Sequence, residues 1–551
     1  MVVSAHRLAS EAGAAVLRAG GNAVDAAVAV GYALAVVDPC CGNIGGGGFL
    51  TLHLADGRDI FLNFRETAPG AATAGMYLDA QGNVIPGASL SGWRAVAVPG
   101  TVLGLDTALR RFGTLPRARV MAAAIDLARD GFVLGAGGAD LLARAADRLR
   151  ADPQAARVFF RPDGAVLRQG DRLVQPALAD TLAAIAAAGP DAFYRGRIPQ
   201  AAAAAAAAGG GILAAADFAR YTVTEGAPVR CSFRGWLFLS AAPPSSGGVT
   251  LCEILDILDG YDLGAMGLHS AQTVHVMSEA MRQAYLDRNT ELGDPAFVRN
   301  PVGRLLSPRY AAALRARIGP RATPSRALTP GTPPHERAET THFSVLDAAG
   351  NAASVTYTIN GAFGAGVMAP GAGFLLNDEM DDFTVRPGAA NMFGLAQGAA
   401  NAIAPGKRPL SSMAPTIVMR NGQVALVLGS PGGARIITTV LETALNMIVF
   451  GLPPQAAVDA PRFHQQWLPD EIFAEPGTLS PDTAAALRGM GYAIDTQAPW
   501  GAAELIALGN AFAAAGPPSS GNDAAVGARL RPGRLYGASD PRRPEGAAVG
   551  E

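Results

Sequence analysis

The chain has 551 residues, of which 49% are hydrophobic and 16% charged, and its formal net charge is −2. This length and composition predict a globular protein with either one large buried core or two lobes. The near-neutral charge forms no basic stripe, which argues against a nucleic-acid partner, and no apolar run approaches the about 20 residues needed to span a bilayer.

The beginning of the chain predicts two helices followed by two strands. Residues 8–19 have helical spacing and end at a glycine pair, and residues 23–37 form a second helix that Asn22 can cap. Four glycines, 45–48, then lead into strands at 49–54 and 59–64. The glycine run precedes a strand and matches neither phosphate-loop pattern, so we interpret it as a tight backbone passage.

The middle of the chain offers few chemical signals. Between about residues 98 and 318 the pattern is mostly helical and rich in Ala, Leu and Arg, which predicts helices with a packing role. The proline-rich residues 320–336 predict a flexible connector. Four cysteines, Cys40, Cys41, Cys231 and Cys252, give neither a CxxC pair nor a metal-ligand spacing, and we predict that they are buried small apolar side chains.

Residues 339–358 predict an antiparallel hairpin, because two β-branched runs alternate with period two around a loop of Asp, Gly and Asn. If Leu346 faces Ala352, the same register puts Thr340 opposite Thr358. Hydroxyl, imidazole and amide side chains then share one face, namely Thr340, His342, Ser344, Ser354, Thr356, Thr358 and Asn360. A polar face without charge indicates a site, although an edge hairpin rich in Thr for its β propensity accounts equally well for this stretch alone.

Two stretches further along also indicate chemistry. Four acids crowd into residues 378–382, but they cannot all converge on one metal ion, and no histidine is near in sequence. Residues 429–435 run from a strand into a helix, and successive glycine amides at a helix start form an anion-binding nest. A serine hydrolase elbow on Ser430 fails because that motif needs glycine where Leu428 stands.

These motifs resemble the small-subunit core of the γ-glutamyltransferases, also called γ-glutamyltranspeptidases or glutathione hydrolases, of the N-terminal nucleophile hydrolase superfamily. The resemblance rests on residues 340–342, 355–360, 377–383, 409–413, 461–469 and 535–542. It covers nearly the whole chain except about 509–534, where Gly, Pro, Ser and Asn predict an inserted loop.

The resemblance implies an α+β fold, a four-layer αββα sandwich, and a precursor that cuts itself between Glu339 and Thr340. Residues 1–339 would form a mostly helical large subunit that contributes Arg65 to the site. Residues 340–551 would form the small subunit, which begins with the nucleophile Thr340. The two subunits would make a heterodimer within one interleaved αββα unit.

The resemblance also implies the roles of individual residues. Thr340 would be the nucleophile, Thr358 would orient its hydroxyl, and the glycines Gly432 and Gly433 would supply the oxyanion hole. The other matching positions hold the substrate: Arg65, Ser411 and Ser412 its α-carboxylate, and Asn360, Glu379 and Asp382 its α-amino group. A freed threonine amine, with a pKa of about 7.7–8.0, can serve as the base for its own hydroxyl. No metal or organic cofactor would be required.

Three positions need a further comment. On its own, Arg65 would more commonly be an exposed arginine paired with Glu66, but the flanking residues also match the family and favour the substrate-binding role. In the lid loop, residues 387–401, Phe393 stands where many bacterial members have tyrosine, so a hydroxyl contact across the pocket mouth would be lost. His464 is expected to be structural.

The predicted activity is cleavage of the γ-glutamyl bond of glutathione and related compounds through a γ-glutamyl ester on Thr340. The acyl group would pass to water, amino acids or dipeptides. One alternative is a β-lactam side-chain acylase, of the glutaryl type, from the same superfamily. Another is an unprocessed, non-catalytic γ-glutamyl-binding protein. The resemblance implies a periplasmic or secreted protein, whereas no signal peptide precedes Ser4, which leaves a cytoplasmic location open.

Overall fold

A computed structural model of the chain describes residues 1–325, 340–513 and 530–550. Glu339, most of the predicted connector and the middle of the predicted insertion lie outside these residues. In chain order, the strands are β1 (Val2–Ser4), β2 (Gly47–His53), β3 (Asp59–Asn63), β4 (Phe132–Val133), β5 (Arg172–Leu173), β6 (Thr224–Gly226), β7 (Val229–Phe233), β8 (Trp236–Ser240), β9 (Thr341–Leu346), β10 (Ala352–Thr358), β11 (Thr416–Arg420), β12 (Gln423–Gly429), β13 (Phe463–His464), β14 (Glu471–Ala474), β15 (Ala493–Thr496), β16 (Glu504–Leu508), β17 (Leu535–Ser539) and β18 (Ala547–Val549).

The helices fall mainly before Thr340. They are α1 (Arg7–Arg18), α2 (Ala23–Val37), α3 (Thr101–Phe112), α4 (Arg117–Asp130), α5 (Ala136–Arg150), α6 (Pro153–Phe159), α7 (Pro176–Ala188), α8 (Asp191–Tyr194), α9 (Arg197–Ala208), α10 (Ala215–Arg220), α11 (Gly247–Leu258), α12 (Leu263–Met266), α13 (Ala271–Glu291), α14 (Val302–Leu305), α15 (Pro308–Arg315), α16 (Ile436–Ile448), α17 (Pro454–Asp459), α18 (Pro481–Met490) and α19 (Gly509–Ala513). None of these helices is both long and apolar enough to cross a membrane.

Two large sheets organise the molecule. The first has seven strands in the order β18-β1-β9-β10-β2-β3-β6, and the second has six in the order β17-β16-β12-β11-β8-β7. Each sheet contains strands from before and after Thr340, so the two parts of the chain are interleaved. The division into two subunits at Thr340 stays a prediction.

The two sheets pack face to face, and helices cover the outer face of each. A small core that includes Leu239, Leu346 and Val427 fills the space between the sheets. A larger core joins Leu50 of the first sheet to helices α1 to α9, and another joins Leu426 of the second sheet to helices such as α11, α13 and α16. The layer order is therefore αββα, and the predicted α+β sandwich is confirmed.

The central hairpin, β9 and β10, has the predicted register. Leu346 pairs with Ala352 and Thr341 pairs with Tyr357, which brings Thr340 opposite Thr358. The apolar face of the hairpin belongs to the core under the helices of the first sheet. The alternation of apolar and polar residues was sufficient to predict this register, because one face of the hairpin had to be buried against those helices.

The polar face of the hairpin packs against the second sheet instead of lining a site along its whole length. The Ser344 hydroxyl donates to the carbonyl oxygen of Glu504 at 2.9 Å, and the Ser354 hydroxyl donates to that of Leu428 at 3.0 Å. These bonds satisfy hydroxyls that would otherwise be buried without partners. The interpretation of this face as a site is therefore wrong at Ser344 and Ser354 and stays a prediction at the Thr340 end.

His342 lies on the same face, fully buried between the sheets. Its Nδ1 is 2.8 Å from Thr356 Oγ1 and its Nε2 is 3.1 Å from Ser344 Oγ. Burial lowers the pKa of His342 to about 3, so the ring is neutral at physiological pH. Gly429 of the second sheet allows this contact, since a Cβ there would lie 2.3 Å from the ring.

The first elements of the chain follow the prediction closely. Helix α2 spans Ala23–Val37, and the Asn22 side chain accepts hydrogen bonds from the amides of Val24 and Asp25. The glycine run is a tight passage, as predicted, because a Cβ on Gly46 would lie 1.8 Å from the carbonyl oxygen of Thr358. The run thereby brings β2 against the end of β10.

The prediction for the cysteines is correct in part: Cys40, Cys41 and Cys252 are buried, but all four cysteines form disulfides. Cys40 is bonded to Cys41, and Cys231 of β7 is bonded to Cys252 of α11 with 5.7 Å between their Cα atoms. Spacing along the sequence could not reveal the second pair, because it joins two elements that only the fold brings together. The strands β7 and β8 were likewise hidden within a stretch of mostly helical composition.

Candidate active site

Thr340 directly precedes β9 and lines a small cavity. Its hydroxyl oxygen is 3.2 Å from that of Thr358, and its residue exposure is 5%. The Thr358 hydroxyl in turn accepts a hydrogen bond from the Asn360 amide at 2.8 Å. Asn360 adopts a left-handed conformation, φ 73°, which asparagine tolerates better than most residues and which folds the chain back beside Thr358.

Arg65 directly follows β3 and points into the same cavity. Its guanidinium donates to the carboxylates of both Glu379 and Asp382, and lies 3.6 Å from Glu66. The Arg65 side chain is 1% exposed, so the interpretation as an exposed surface arginine is wrong. Its pairing with Glu66 is one of three contacts with carboxylates, and the two with the acidic turn are shorter.

Burial and the neighbouring opposite charges shift the pKa values of this cluster in opposite directions. Burial raises the pKa of Glu379 well above its ordinary value and raises that of Asp382, while the neighbouring Arg65 lowers both. Burial also raises the pKa of Glu66 to about 7. For Arg65 burial disfavours the charge, but Glu379 and Asp382 outweigh it and hold the pKa of the guanidinium above its ordinary value.

The remaining acids of the turn have separate partners. Asp378 Oδ1 accepts from the Gly361 amide at 2.8 Å, and Asp381 accepts from the Ser89 hydroxyl at 2.7 Å. The Asn360 side-chain amide donates to the Asp378 carbonyl oxygen at 3.1 Å, which joins the turn to the hairpin. Their carboxylates therefore point in different directions and do not converge as metal ligands would.

Ser411 and Ser412 lie in the loop before β11 and line the same cavity. The Ser411 amide donates to Pro244 O at 2.9 Å, and its carbonyl oxygen accepts from Ser246 N at 2.8 Å. The Ser412 hydroxyl accepts a hydrogen bond from Arg288 at 3.1 Å. Arg288 also lines the cavity and was not singled out from the sequence, because an arginine in the last turn of a helix is common and does not by itself indicate a site.

Gly432 and Gly433 form the turn between β12 and α16. Their φ angles, 136° and 55°, are both in the region that favours glycine. Within the described residues, neither amide hydrogen is donated to another protein group. The turn thus presents two free donors beside a helix start, which is the predicted anion nest.

Two cavities meet at this turn. The smaller, about 20 Å³, is lined by Thr340, Arg65 and Gly433 together with the other predicted substrate-binding residues. The larger is a groove of about 530 Å³ whose wall includes Gly432 and Arg435. The structure therefore brings together the predicted site residues of the described chain, with Gly432 on the groove side of the turn.

The lid, residues 387–401, closes over the small cavity, and its Phe393 lines both cavities. The Asn391 side chain donates to Asp382 at 3.2 Å, and the Met392 amide donates to Asp381 at 2.9 Å. The main-chain oxygen of Phe393 accepts from Gln466 at 3.1 Å. The lid is thus attached to the acidic turn through polar contacts that do not need a tyrosine hydroxyl at position 393.

His464 lies outside the cavity lining and has a structural environment. Its Nδ1 is 2.9 Å from Thr438 Oγ1 and its Nε2 is 2.9 Å from Gln466 Oε1. Burial lowers the pKa of His464 to about 3. No histidine therefore stands beside Thr340 within the described cavity, and a base for its hydroxyl has to come from elsewhere.

A threonine at the start of an inner strand of an αββα sandwich can be activated by its own amine once the preceding bond is cut. This arrangement, with a nest of amides nearby, places the chain among the N-terminal nucleophile hydrolases. Comparison with known proteins identifies the family within this class. The sequence profile of the Gamma-glutamyltranspeptidase family matches residues 9–550, and the chain belongs to this family.

Individual relatives agree with that assignment. The chain is 53% identical over 551 residues to the glutathione hydrolase proenzyme of Pseudomonas sp. (strain A14), covering 100% of this chain and 94% of the relative. It is 43% identical over 552 residues to the glutathione hydrolase proenzyme of Escherichia coli (strain K12), covering 100% and 91%. The crystal structure of cephalosporin acylase from Bacillus halodurans has a TM-score of 0.82 at 28% identity, covering 99% and 94%. The predicted family and the prediction of an enzyme are confirmed.

Proposed function

We propose that this chain is a self-processing γ-glutamyltransferase and glutathione hydrolase in which Thr340 carries the γ-glutamyl group. The observation that supports this most directly is the position of Thr340. Its hydroxyl meets Thr358 in the same small cavity that contains Arg65, the acidic turn and Gly433. The nucleophile, the groups that would bind the zwitterion and an oxyanion donor therefore line one cavity.

Self-cleavage would activate the enzyme. Before cleavage the nitrogen of Thr340 is an amide and cannot accept a proton. The Thr340 hydroxyl attacks the carbonyl carbon of Glu339, the peptide bond becomes an ester, and water hydrolyses that ester to leave a free amine on Thr340. This amine then accepts the hydroxyl proton when Thr340 attacks a substrate, because its pKa of about 7.7–8.0 is near neutrality.

In the catalytic cycle, Thr340 Oγ1 attacks the γ-carbonyl carbon of the donor. The carbonyl oxygen becomes negatively charged and accepts hydrogen bonds from the Gly432 and Gly433 amides. Collapse expels the amine of the donor, which takes up the proton held by the Thr340 amine. Water or an acceptor amine then attacks the γ-glutamyl ester and restores the Thr340 hydroxyl.

Recognition of the glutamyl group would proceed by exchange of ion pairs. In the unliganded protein Arg65 is bonded to Glu379 and Asp382, and the cavity of about 20 Å³ has room for about one water molecule. A γ-glutamyl head group brings one carboxylate and one ammonium. Its carboxylate would pair with Arg65 and the serines 411 and 412, while its ammonium would pair with the two acids and Asn360, so every buried charge keeps a partner.

The larger groove would hold what lies beyond the γ-carbonyl. It begins at Gly432, on the side of the turn away from the glutamyl cavity, and its volume of about 530 Å³ is that of a typical small-molecule site. The cysteinylglycine part of glutathione, or an acceptor amino acid or dipeptide, fits a groove of this size. We therefore assign donor and acceptor binding to small molecules, with no nucleic acid or membrane-spanning partner.

A periplasmic or secreted location is part of the proposal. Cys40–Cys41 and Cys231–Cys252 are both disulfides, and such bonds form and persist in oxidising compartments. Fractionation of the native cells, with γ-glutamyl-p-nitroanilide hydrolysis as the marker, tests this. Activity confined to the cytoplasmic fraction would contradict it.

Acylase activity is the closest alternative, since the cephalosporin acylase of Bacillus halodurans shares the fold. A glutaryl group has a carboxylate for Arg65 but no ammonium. Glu379 and Asp382 would then be left in a buried site without their partner, which is unfavourable. The acidic turn therefore favours a γ-glutamyl substrate.

The decisive experiment compares the wild type with Thr340→Ala by denaturing mass analysis and by hydrolysis of γ-glutamyl-p-nitroanilide and glutaryl-p-nitroanilide. We expect two wild-type fragments that meet between Glu339 and Thr340 and turnover of the γ-glutamyl substrate. The Thr340→Ala chain should be folded, intact and inactive. A wild-type chain that never divides would support the non-catalytic binding protein, and preference for the glutaryl compound would support the acylase.

A further inference from the structure

Arg288 lies deep in the wall of the glutamyl cavity. It belongs to α13, and its residue exposure is 1%. Its guanidinium donates to four oxygens, at distances of 2.8 to 3.2 Å: Ser246 Oγ, Asn289 Oδ1, Gln397 Oε1 and Ser412 Oγ. All four acceptors are neutral. Within the described residues, no carboxylate lies within ion-pair distance of Arg288.

A buried cation without an anionic partner is costly, because transfer out of water removes its solvation. Burial lowers the pKa of Arg288 to about 10, so it remains charged at neutral pH. Arg282, one turn and a half earlier on the same helix, shows the usual arrangement, since its guanidinium is paired with Glu279 at 3.2 Å. Arg288 has no such contact: the charge of Asp382 raises its pKa from a distance, but that carboxylate is bonded to Arg65. The proposed substrate would bring a further carboxylate into this cavity.

The contacts of Arg288 also fix the two serines of the site. Its Nη2 donates to Ser412 Oγ at 3.1 Å, which occupies the oxygen as an acceptor and leaves the hydroxyl proton for donation elsewhere. Its Nε donates to Ser246 Oγ at 3.2 Å, and that hydroxyl donates to the carbonyl oxygen of Ser411 at 2.7 Å. One guanidinium thereby holds both sides of the Ser411–Ser412 loop.

We propose that Arg288 is a positioning residue for the substrate α-carboxylate: it holds the Ser412 hydroxyl as a donor and supplies a second positive charge behind it. Arg65 would contact the carboxylate directly, and Arg288 would act on it through Ser412. This inference rests on the proposed function, because it assumes a γ-glutamyl substrate in the small cavity. The substrate carboxylate would provide the anion that Arg288 lacks.

The test uses two substrates that differ only in the α-carboxylate: γ-glutamyl-p-nitroanilide and 4-aminobutyryl-p-nitroanilide. The ratio of their kcat/KM values measures how strongly the enzyme uses that group. In Arg288→Met we expect the ratio to fall about 10–100-fold, mainly through a higher KM for the γ-glutamyl compound, as for loss of a charge-assisted contact. Arg288→Lys keeps the charge but cannot bridge both serines. Its ratio should lie between that of the wild type and that of Arg288→Met.

Arg282→Met is the matched control, because it removes a buried arginine from the same helix but touches none of the cavity residues. Its ratio should equal that of the wild type. Where turnover of the second substrate is too slow to measure, the ratio of the inhibition constants of L-glutamate and 4-aminobutyrate tests the same contact through binding alone, and it should fall in the same variants. If Arg288→Met is not processed, Arg288→Lys carries the comparison.

The outcomes distinguish failure of the proposed function from failure of the role proposed for Arg288. A wild-type enzyme that turns over neither γ-glutamyl-p-nitroanilide nor glutathione means that the proposed function fails. If the wild type turns over normally, two results would overturn this inference. Either both Arg288 variants keep the wild-type ratio, or both lose activity on the two substrates equally. In each case Arg288 has only a structural role.

Discussion

Replacing Gly432 by alanine tests the oxyanion nest with little steric interference. A Cβ at this position would meet no atom closer than 3.6 Å, which is ordinary van der Waals contact. The cost is therefore conformational, since φ is 136° there and a non-glycine residue in such a region is disfavoured by about 1–3 kcal/mol. If the backbone relaxes, the peptide planes on both sides of Gly432 rotate and the amides no longer point at one position.

We expect Gly432→Ala to lower kcat for γ-glutamyl-p-nitroanilide by about 10²–10³, the effect of losing one oxyanion donor, with a smaller change in KM. Gly422→Ala is the matched control. Gly422 also has a positive φ, 76°, with nothing within 4 Å of its Cβ position, but it lies in the turn between β11 and β12. Both variants should lose stability in urea unfolding, and only Gly432→Ala should lose kcat. A processed Gly432→Ala enzyme with the wild-type kcat would refute the assigned oxyanion role.

Two other predictions concern charge. Arg65→Ala should raise KM for γ-glutamyl-p-nitroanilide about 10–100-fold because a charge-assisted contact is lost, and an unchanged KM would contradict its role. The pKa of His342 is about 3 in the folded protein, below the ordinary 6.5, so the unfolded chain binds more protons between these values and stability falls as pH is lowered through that window. From pH 8 to pH 5 this group should remove about 2 kcal/mol, and His342→Asn should show a shallower pH dependence of its urea midpoint. Equal slopes would show that His342 is not responsible.

The sequence predicted those parts of the site that are local in the chain. The register of the hairpin, and hence the pairing of Thr340 with Thr358, follows from alternation and a short turn. The glycine turn at 432–433 is likewise a local feature. The assignment of Arg65 came from resemblance, because nothing in its neighbourhood distinguishes a buried arginine from an exposed one.

Contacts between distant segments were not predictable in the same way. Arg288 reaches Ser412 across 124 positions of the chain, and Cys231 bonds to Cys252 only because β7 packs beside α11. The polar face of the hairpin was interpreted as a site along its whole length for a related reason. Hydroxyls at Ser344 and Ser354 look functional in one strand, but their partners are carbonyl oxygens of the opposite sheet, which the strand itself does not reveal.

The buried charges of the glutamyl cavity also provide a physical basis for selecting a zwitterion. Arg65 and the two acids satisfy one another when no substrate is present, so any ligand must replace those contacts without leaving a buried charge alone. A ligand with only a carboxylate would pair with Arg65 and leave Glu379 and Asp382 unpaired. A ligand with only an amine would pair with the acids and leave Arg65 with the more distant Glu66, at 3.6 Å, as its remaining carboxylate. Because the penalty for an unpaired buried charge is several kcal/mol, both half-ligands should be rejected even though each forms half of the correct contacts.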